Sequence, residues 1–247
     1  MIKTDFGTDE VVTVLRVCDY EDDTQRGFWI DYVRDDGRYG DAFVLEGEDY
    51  SAALKANSGM PYTDIKGFKW SYYGNSADKI RRIVKSYIDD WKKWRQSGRG
   101  LYICSEANGS GKTFLACCIG NELIRQYNAQ VDFVTVNDYI GLMSEDKDRA
   151  FRLRDSVLLI VDDIGTQNEK QEWISDAVFR LVDYRYRQKL PTIYTSNMPL
   201  KRASKNDRVT SRMFELSHEI KMPDISVREI LATKAKEEFL SEVIGAA

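Results

Sequence analysis

No run in this sequence approaches the roughly 20 apolar residues that a membrane-spanning helix needs, and its N-terminus carries no apolar signal-like segment. A protein free of the membrane and resident in the cytoplasm is the expectation. Cysteine is scarce, and Cys18, Cys104, Cys117 and Cys118 form no C-x-x-C pair, which argues against a zinc knuckle. Three of them, Cys104, Cys117 and Cys118, sit in apolar stretches and read as buried free thiols. The single histidine, His218, opens a late strand and reads as structural. Internal repeats are also lacking.

The chain does have the material for a packed core, with 43% hydrophobic and 12% aromatic residues. Its 247 residues fit one large domain, or one domain with an appendage. Charge is divided unevenly. Residues 1–60 carry 14 Asp/Glu against 6 Lys/Arg, whereas the rest of the chain carries 26 against 30. An acidic head on a mildly basic body implies two parts with different partners.

Residues 1–58 read as a small β-rich appendage. Val11–Val17, Phe28–Val33 and Ala42–Leu45 are short strands separated by Asp/Gly clusters, which suit a three-stranded meander. Residues 59–99 read as a linker, beginning around Asn57–Pro61, followed by a basic helix. Ile65, Phe68, Trp70, Tyr72 and Tyr73 serve there as packing anchors. Ser76 or Asp78 then caps one helix running to about Gln96.

From residue 100 to 247 strands and helices alternate. Strands are expected at Leu101–Cys104, Val131–Val136, Ser156–Val161, Thr192–Thr195 and His218–Lys221. Helices are expected after Lys112, from Asp138, over Gln171–Gln188, over Arg208–Leu216 and over Ser226–Val243. Such alternation specifies an α/β fold with a parallel sheet flanked by helices, and ligands then bind at the carboxyl ends of the strands.

The stretch with the most chemistry is Leu101-Tyr102-Ile103-Cys104-Ser105-Glu106-Ala107-Asn108-Gly109-Ser110-Gly111-Lys112-Thr113. An apolar strand breaks into a glycine-containing turn and opens a helix, the layout of a phosphate-binding loop. Backbone amides from Asn108, Gly109, Ser110, Gly111, Lys112, Thr113 and Phe114 would converge on phosphate oxygens at the positive end of the helix. Lys112 would reach the β- and γ-phosphates, and Thr113 would hold Mg²⁺. The pattern G-x-x-x-x-G-K-[ST] begins with glycine, and here Glu106 stands in that place.

A second site is Leu158-Leu159-Ile160-Val161-Asp162-Asp163, four apolar residues that end in paired carboxylates. Asp162 would bind Mg²⁺ largely through water, and Asp163 would orient or deprotonate the attacking water. Third, the strand Thr192–Thr195 ends in Thr195-Ser196-Asn197, so that Asn197 would position the water or sense the γ-phosphate. Fourth, Arg208 and Arg212 stand at i and i+4 on one helix, suited to reaching a neighbouring subunit's γ-phosphate. Arg228, opening the last helix, would contact nucleotide in its own subunit. Lys147, Arg149, Arg152 and Arg154, with Phe151 among them, form a basic run suited to non-specific phosphate contacts.

These segments, in this order and spacing, resemble the AAA+ ATPases of the DnaC/DnaI/IstB group, the helicase loaders above all. The resemblance covers about residues 60–235. It includes Gly100-Leu101-Tyr102 before the phosphate loop, Val161-Asp162-Asp163-Ile164-Gly165, Tyr184-Arg185-Tyr186-Arg187, and Leu190-Pro191-Thr192. It implies a P-loop AAA+ core in which Lys112 and Thr113 form the Walker A pair and Asp162 and Asp163 the Walker B pair. Asn197 is then sensor 1, Arg212 the arginine finger supported by Arg208, and Arg228 sensor 2. The implied activity is slow ATP hydrolysis with Mg²⁺, in an ATP-bound homo-oligomer on single-stranded DNA. The partner would be a replicative helicase, docked through the acidic appendage. Two other functions fit the same residues: a transposition helper ATPase acting on duplex DNA, and a nucleotide-gated binding module that barely hydrolyses, motivated by Glu106 and Asp163.

Overall fold

The computed structural model describes residues 58–60, 65–165 and 172–245, together with five strands between residues 2 and 45. Asn57, Pro61, Asp64 and Gln171 lie outside the described residues. So do the side chains of the acidic segment 1–58, apart from Tyr32, Val33 and Ser58.

Two short strands, β1 (Ile2–Lys3) and β2 (Asp9–Glu10), pair antiparallel. A separate antiparallel meander follows, formed by β3 (Val12–Glu21), β4 (Arg26–Arg34) and β5 (Tyr39–Leu45). It pairs Phe28 with Asp19 on one side and Val44 on the other, and its register shifts between Val14 and Arg16. These are the three strands expected from the β-branched and aromatic runs, each somewhat longer than expected.

The main sheet contains β6 (Gly100–Cys104), β7 (Val131–Thr135), β8 (Leu158–Asp162), β9 (Thr192–Ser196) and β10 (Ser217–Lys221). All its pairings are parallel, in the order β10-β6-β9-β8-β7. Helices connect the strands: α1 (Ala77–Asp89) and α2 (Trp91–Ser97) before β6, then α3 (Lys112–Tyr127). Next come α4 (Val136–Glu145) and α5 (Lys147–Asp155), α6 (Glu172–Arg187), α7 (Asp207–Leu216) and α8 (Val227–Gly245).

Alternation along the strands divides the core in two. Leu101, Ile103, Leu158 and Ile160 face a layer built from α1 and α3, while Tyr102, Cys104, Leu159 and Val161 face one built from α4, α6 and α7. The central strands are buried on both faces, which is why they read as continuous apolar runs.

One expectation changes. The single helix ending near Gln96 is two helices that break at Asp90, whose backbone leaves helical geometry at φ −101°, ψ 24°. Ser76 precedes the first of them without a side-chain capping bond. The stretch 59–99 is also bound to the core. The Phe133 amide donates to the Ser58 carbonyl at 2.7 Å, and Ile80, Val84, Tyr87, Ile88 and Trp91 are buried in the same layer as α3. The basic residues of α1 thus occupy the outer face of a helix whose other side is core.

Gly100 shows how closely the strands approach, since a Cβ there would lie 1.8 Å from the Thr192 carbonyl oxygen. Arg185, near the end of α6, is 1% exposed. It donates to Thr192 Oγ1 at 2.8 Å, to the Arg154 and Ser156 carbonyls at 2.7 and 3.0 Å, and to the Pro191 carbonyl at 2.6 Å. It therefore ties α6 to the starts of β8 and β9. Burial brings its pKa down to about 10.

Candidate functional site

The loop between β6 and α3 runs over Ser105–Gly111. Gly109 and Gly111 take φ of +73° and +91°, left-handed backbone that a side chain would strain. Space is closed there too. A Cβ on Gly111 would lie 2.5 Å from the Tyr73 hydroxyl, and one on Gly109 would lie 2.8 Å from Arg228 Cβ. Both glycines are thus required by conformation and by packing.

Lys112 is buried at the first turn of α3, and its ammonium donates to the Ser105 and Ala107 carbonyls at 3.3 and 3.0 Å and to Ser110 Oγ at 3.2 Å. Burial lowers its pKa, an effect opposed by Asp163 and Asp162. Thr113 donates to Asp162 Oδ1 at 2.8 Å, which joins the phosphate loop to the tip of β8. Thr195 donates to the same oxygen, while its own oxygen accepts from the Asp163 amide at 2.9 Å. The end of β9 thereby sets the turn that carries both carboxylates. Burial raises the pKa of Asp162, the hydroxyls of Thr195 and Thr113 act against that, and Asp163 adds to it. Asp163 itself has φ +58°. Aspartate tolerates that region better than most residues.

Above the loop lies a cavity of about 710 Å³. Its polar end is lined by Asn108, Gly109, Ser110, Gly111, Lys112 and Thr113, together with Asp163, Asn197 and Arg228. Its other end is apolar and aromatic, formed by Phe68, Tyr72, Tyr73 and Phe114 with Val227 and Leu231 of α8. Phe68 stacks on Tyr73 at 5.1 Å with 6° between ring planes, and on Phe114 at 5.9 Å. The Tyr73 hydroxyl donates to the Ser110 carbonyl at 2.8 Å. Loop amides and a lysine beside aromatic side chains suit a nucleotide.

The aromatic end is what motif reading misses. Phe68, Tyr72 and Tyr73 pass in sequence for ordinary packing residues, and nothing local relates them to a loop about forty positions later. The clustering of aromatics immediately before a core helix was the one available signal.

The residues present fit a triphosphate with magnesium. Successive amides at a helix start, a cradle that a Cβ would fill, and a hydroxyl–carboxylate pair are the donors such a site uses. Among the described residues no group of three or more His, Cys, Asp or Glu is placed to hold a metal by itself. Glu106 turns outward. Its carboxylate pairs with Arg202 at 2.8 Å, with both side chains more than half exposed, and it does not line the cavity.

Arg208 and Arg212 are placed elsewhere. Arg212 donates to Asp183 Oδ1 at 2.8 Å and to the Arg208 carbonyl at 3.0 Å. Both guanidinium groups lie over the Phe179 ring, at 4.2 Å for Arg208 and 5.2 Å for Arg212. Neither lines the cavity, and α7 packs on the sheet face opposite the one the aromatic end adjoins.

The basic run forms α5, with Lys147, Arg149 and Arg152 exposed. Arg154 is set apart from them, with its guanidinium 3.7 Å from the Tyr184 ring centre and 4.6 Å from that of Phe151. His218, in β10, is exposed. No helix among the described residues is long and apolar enough to cross a membrane.

Comparison with known proteins agrees with this geometry. Residues 100–216 match the family model described as IstB-like ATP binding protein. A curated relative, the replicative helicase loader DnaI of Bacillus subtilis (strain 168), is 30% identical over 124 residues, covering 48% of this chain and 38% of that protein. The chain thus matches well under half the length of that relative. Among solved structures, DnaI superimposes with a TM-score of 0.57 at 21% identity, over 66% of this chain and 95% of that one. The DnaC helicase loader gives 0.51 at 21% identity, over 71% and 99%. A putative primosome component from Streptococcus pyogenes serotype M3 gives 0.58 at 19%, over 69% and 94%.

Proposed function

We propose that this chain is an AAA+ ATPase of the DnaC/DnaI/IstB group and an ATP-dependent loader of a replicative helicase. The observation that carries the nucleotide half is the 2.8 Å bond between Thr113 and Asp162, which brings the phosphate loop and the acidic strand tip into one site. Lys112 neutralises and orients β- and γ-phosphates. Thr113 and Asp162 would hold Mg²⁺, which when bound would neutralise phosphate charge. Asp163 holds and accepts a proton from the attacking water, and Asn197 positions that water. Arg228 contacts phosphate within the subunit.

The opposite placement of α7 supports action between subunits. Arginines that do not line their own chain's cavity can serve a neighbour's when copies associate head to tail, as in a ring or filament. Arg212 then completes the neighbour's site with Arg208 beside it, after exchanging Asp183 for phosphate. The exposed Lys147, Arg149 and Arg152 of α5 supply salt-dependent contacts to single-stranded DNA. The acidic residues 1–58 supply the surface that docks on the helicase.

Mixing variants tests the intersubunit site. Lys112→Ala and Arg212→Ala should each lower steady-state ATPase activity at least about 100-fold, on the scale of lost transition-state contacts. Mixed together, they should regain a fraction of wild-type activity, because some interfaces then pair an intact loop with an intact arginine. Absence of any recovery, with both variants folded, contradicts the shared site.

The family match to an IstB-like protein favours a second reading, a transposition helper acting on duplex DNA. Filter binding separates the two. A loader should prefer single strands and stimulate helicase loading, while a helper should prefer duplex and leave helicase loading unchanged.

A further inference from the structure

The chain from the end of β10 into α8 runs alongside the end of β6 and the phosphate loop. Met222 donates its amide to the Cys104 carbonyl at 2.8 Å, and Arg228 donates its amide to the Gly109 carbonyl at 3.1 Å. Between them, Asp224 Oδ1 accepts from the Glu106 amide at 2.7 Å and from Ser105 Oγ at 2.9 Å. The Ser105 hydroxyl also lies 3.2 Å from the Pro223 carbonyl, and its oxygen accepts from the Ala107 amide at 3.2 Å. Asp224 therefore orders two successive amides, Glu106 directly and Ala107 through Ser105.

We propose that Asp224 is a positioning residue of the phosphate loop, fixing its first turn from outside where the motif's leading glycine is replaced by Glu106. The proposal rests on the reading of this loop as a triphosphate site. Among the described residues Glu106 is not one of the non-glycine positions with positive φ, so its backbone does not require glycine. What that turn requires is an acceptor for its amides, and a carboxylate on the neighbouring strand's continuation provides one. The carbonyls of Ser105 and Ala107, on this same turn, are the ones that accept from Lys112. Asp224 thus steadies the frame around the lysine while the amides of residues 109–113 stay directed at phosphate. Capping of α8 does not explain Asp224, because Ser226 Oγ fills that role by accepting from the Glu229 amide at 3.3 Å. The donors from Ser105 and Glu106 hold the Asp224 carboxyl below the usual range, so it is ionised at neutral pH.

Calorimetric titration of the full chain with ATP and magnesium, beside amide hydrogen exchange without nucleotide, tests this. Asp224→Ala should weaken ATP binding about tenfold, the scale of losing hydrogen bonds to a charged acceptor. It should also speed exchange at Glu106 and Ala107. Asp224→Asn keeps an oxygen that accepts both bonds and should restore affinity to within about threefold, with slow exchange. Should Asp224→Ala fail to fold, Ser105→Ala breaks the relay to Ala107 and should weaken ATP binding and speed exchange at Ala107, with Glu106 still slow. Wild-type affinity in the alanine variant, unchanged exchange at Glu106 in Asp224→Ala, or an asparagine variant as weak as alanine would each overturn the proposal. Lys112→Ala serves as the separate arm. If the wild-type chain binds no ATP the nucleotide reading fails, and the exchange measurement still decides whether Asp224 holds the turn.

Discussion

Glu106 and Asp132 are acidic residues whose surroundings treat them in opposite ways. Glu106 points outward to an exposed arginine, and an exposed pair of this kind contributes little. Asp132, in β7, accepts from Ser156 Oγ in an enclosed site, and burial pushes its pKa from 3.8 up to about 6. The folded chain therefore binds more protons than the unfolded chain between those values. Asp132 contributes stability that is fully present below the lower value and lost as pH rises through the upper. Denaturant midpoints at about pH 4 and about pH 7 should show a smaller fall with rising pH in Asp132→Asn than in wild type. Equal slopes in the two proteins contradict this account. Residue identity alone revealed neither behaviour, because burial and partners are set by segments distant in sequence. Lys112, Thr113 and Asp162 were legible because the chemistry of phosphate binding fixes both their types and their local context.

At the scale of elements, the sheet strands were legible because two-sided burial leaves an unbroken apolar run. The break at Asp90 was not, since residues on either side keep helical periodicity and only the backbone turn separates α1 from α2. Nor was the double duty of the segment 65–76, whose Tyr73 reaches the phosphate loop at Ser110. Tyr73→Phe keeps the stack on Phe68 and removes that bond alone. A loss of about 1 kcal/mol is expected on denaturation, with weaker ATP binding. Arg185 was visible only as part of a resemblance. In the fold it occupies the junction of α6, β8 and β9, where its guanidinium satisfies three carbonyls and a hydroxyl. Arg185→Met should cost about 3 kcal/mol, because it leaves those buried acceptors unpaired. A chemical denaturation curve matching wild type would show that the junction holds without them.

For the whole molecule, the α/β order of elements followed from alternation, but the strand order and the division of functional residues between two faces depend on the crossovers. Arg208 and Arg212 belong to one face, and the aromatic end of the cavity adjoins the other. On the proposed reading Arg212 of a second copy completes the site, so ATP should promote assembly. Light scattering should show a larger species with ATP and magnesium than without, and Lys112→Ala should remain in the smaller form. The most direct measurement is a crystal structure of the chain with a non-hydrolysable ATP analogue and magnesium. The account predicts phosphates on the amides of residues 109–113, Lys112 turned from the Ser105 and Ala107 carbonyls to the β- and γ-phosphates, and the metal beside Thr113 and Asp162. Nucleotide bound elsewhere, or this loop unchanged at saturating analogue, would contradict it.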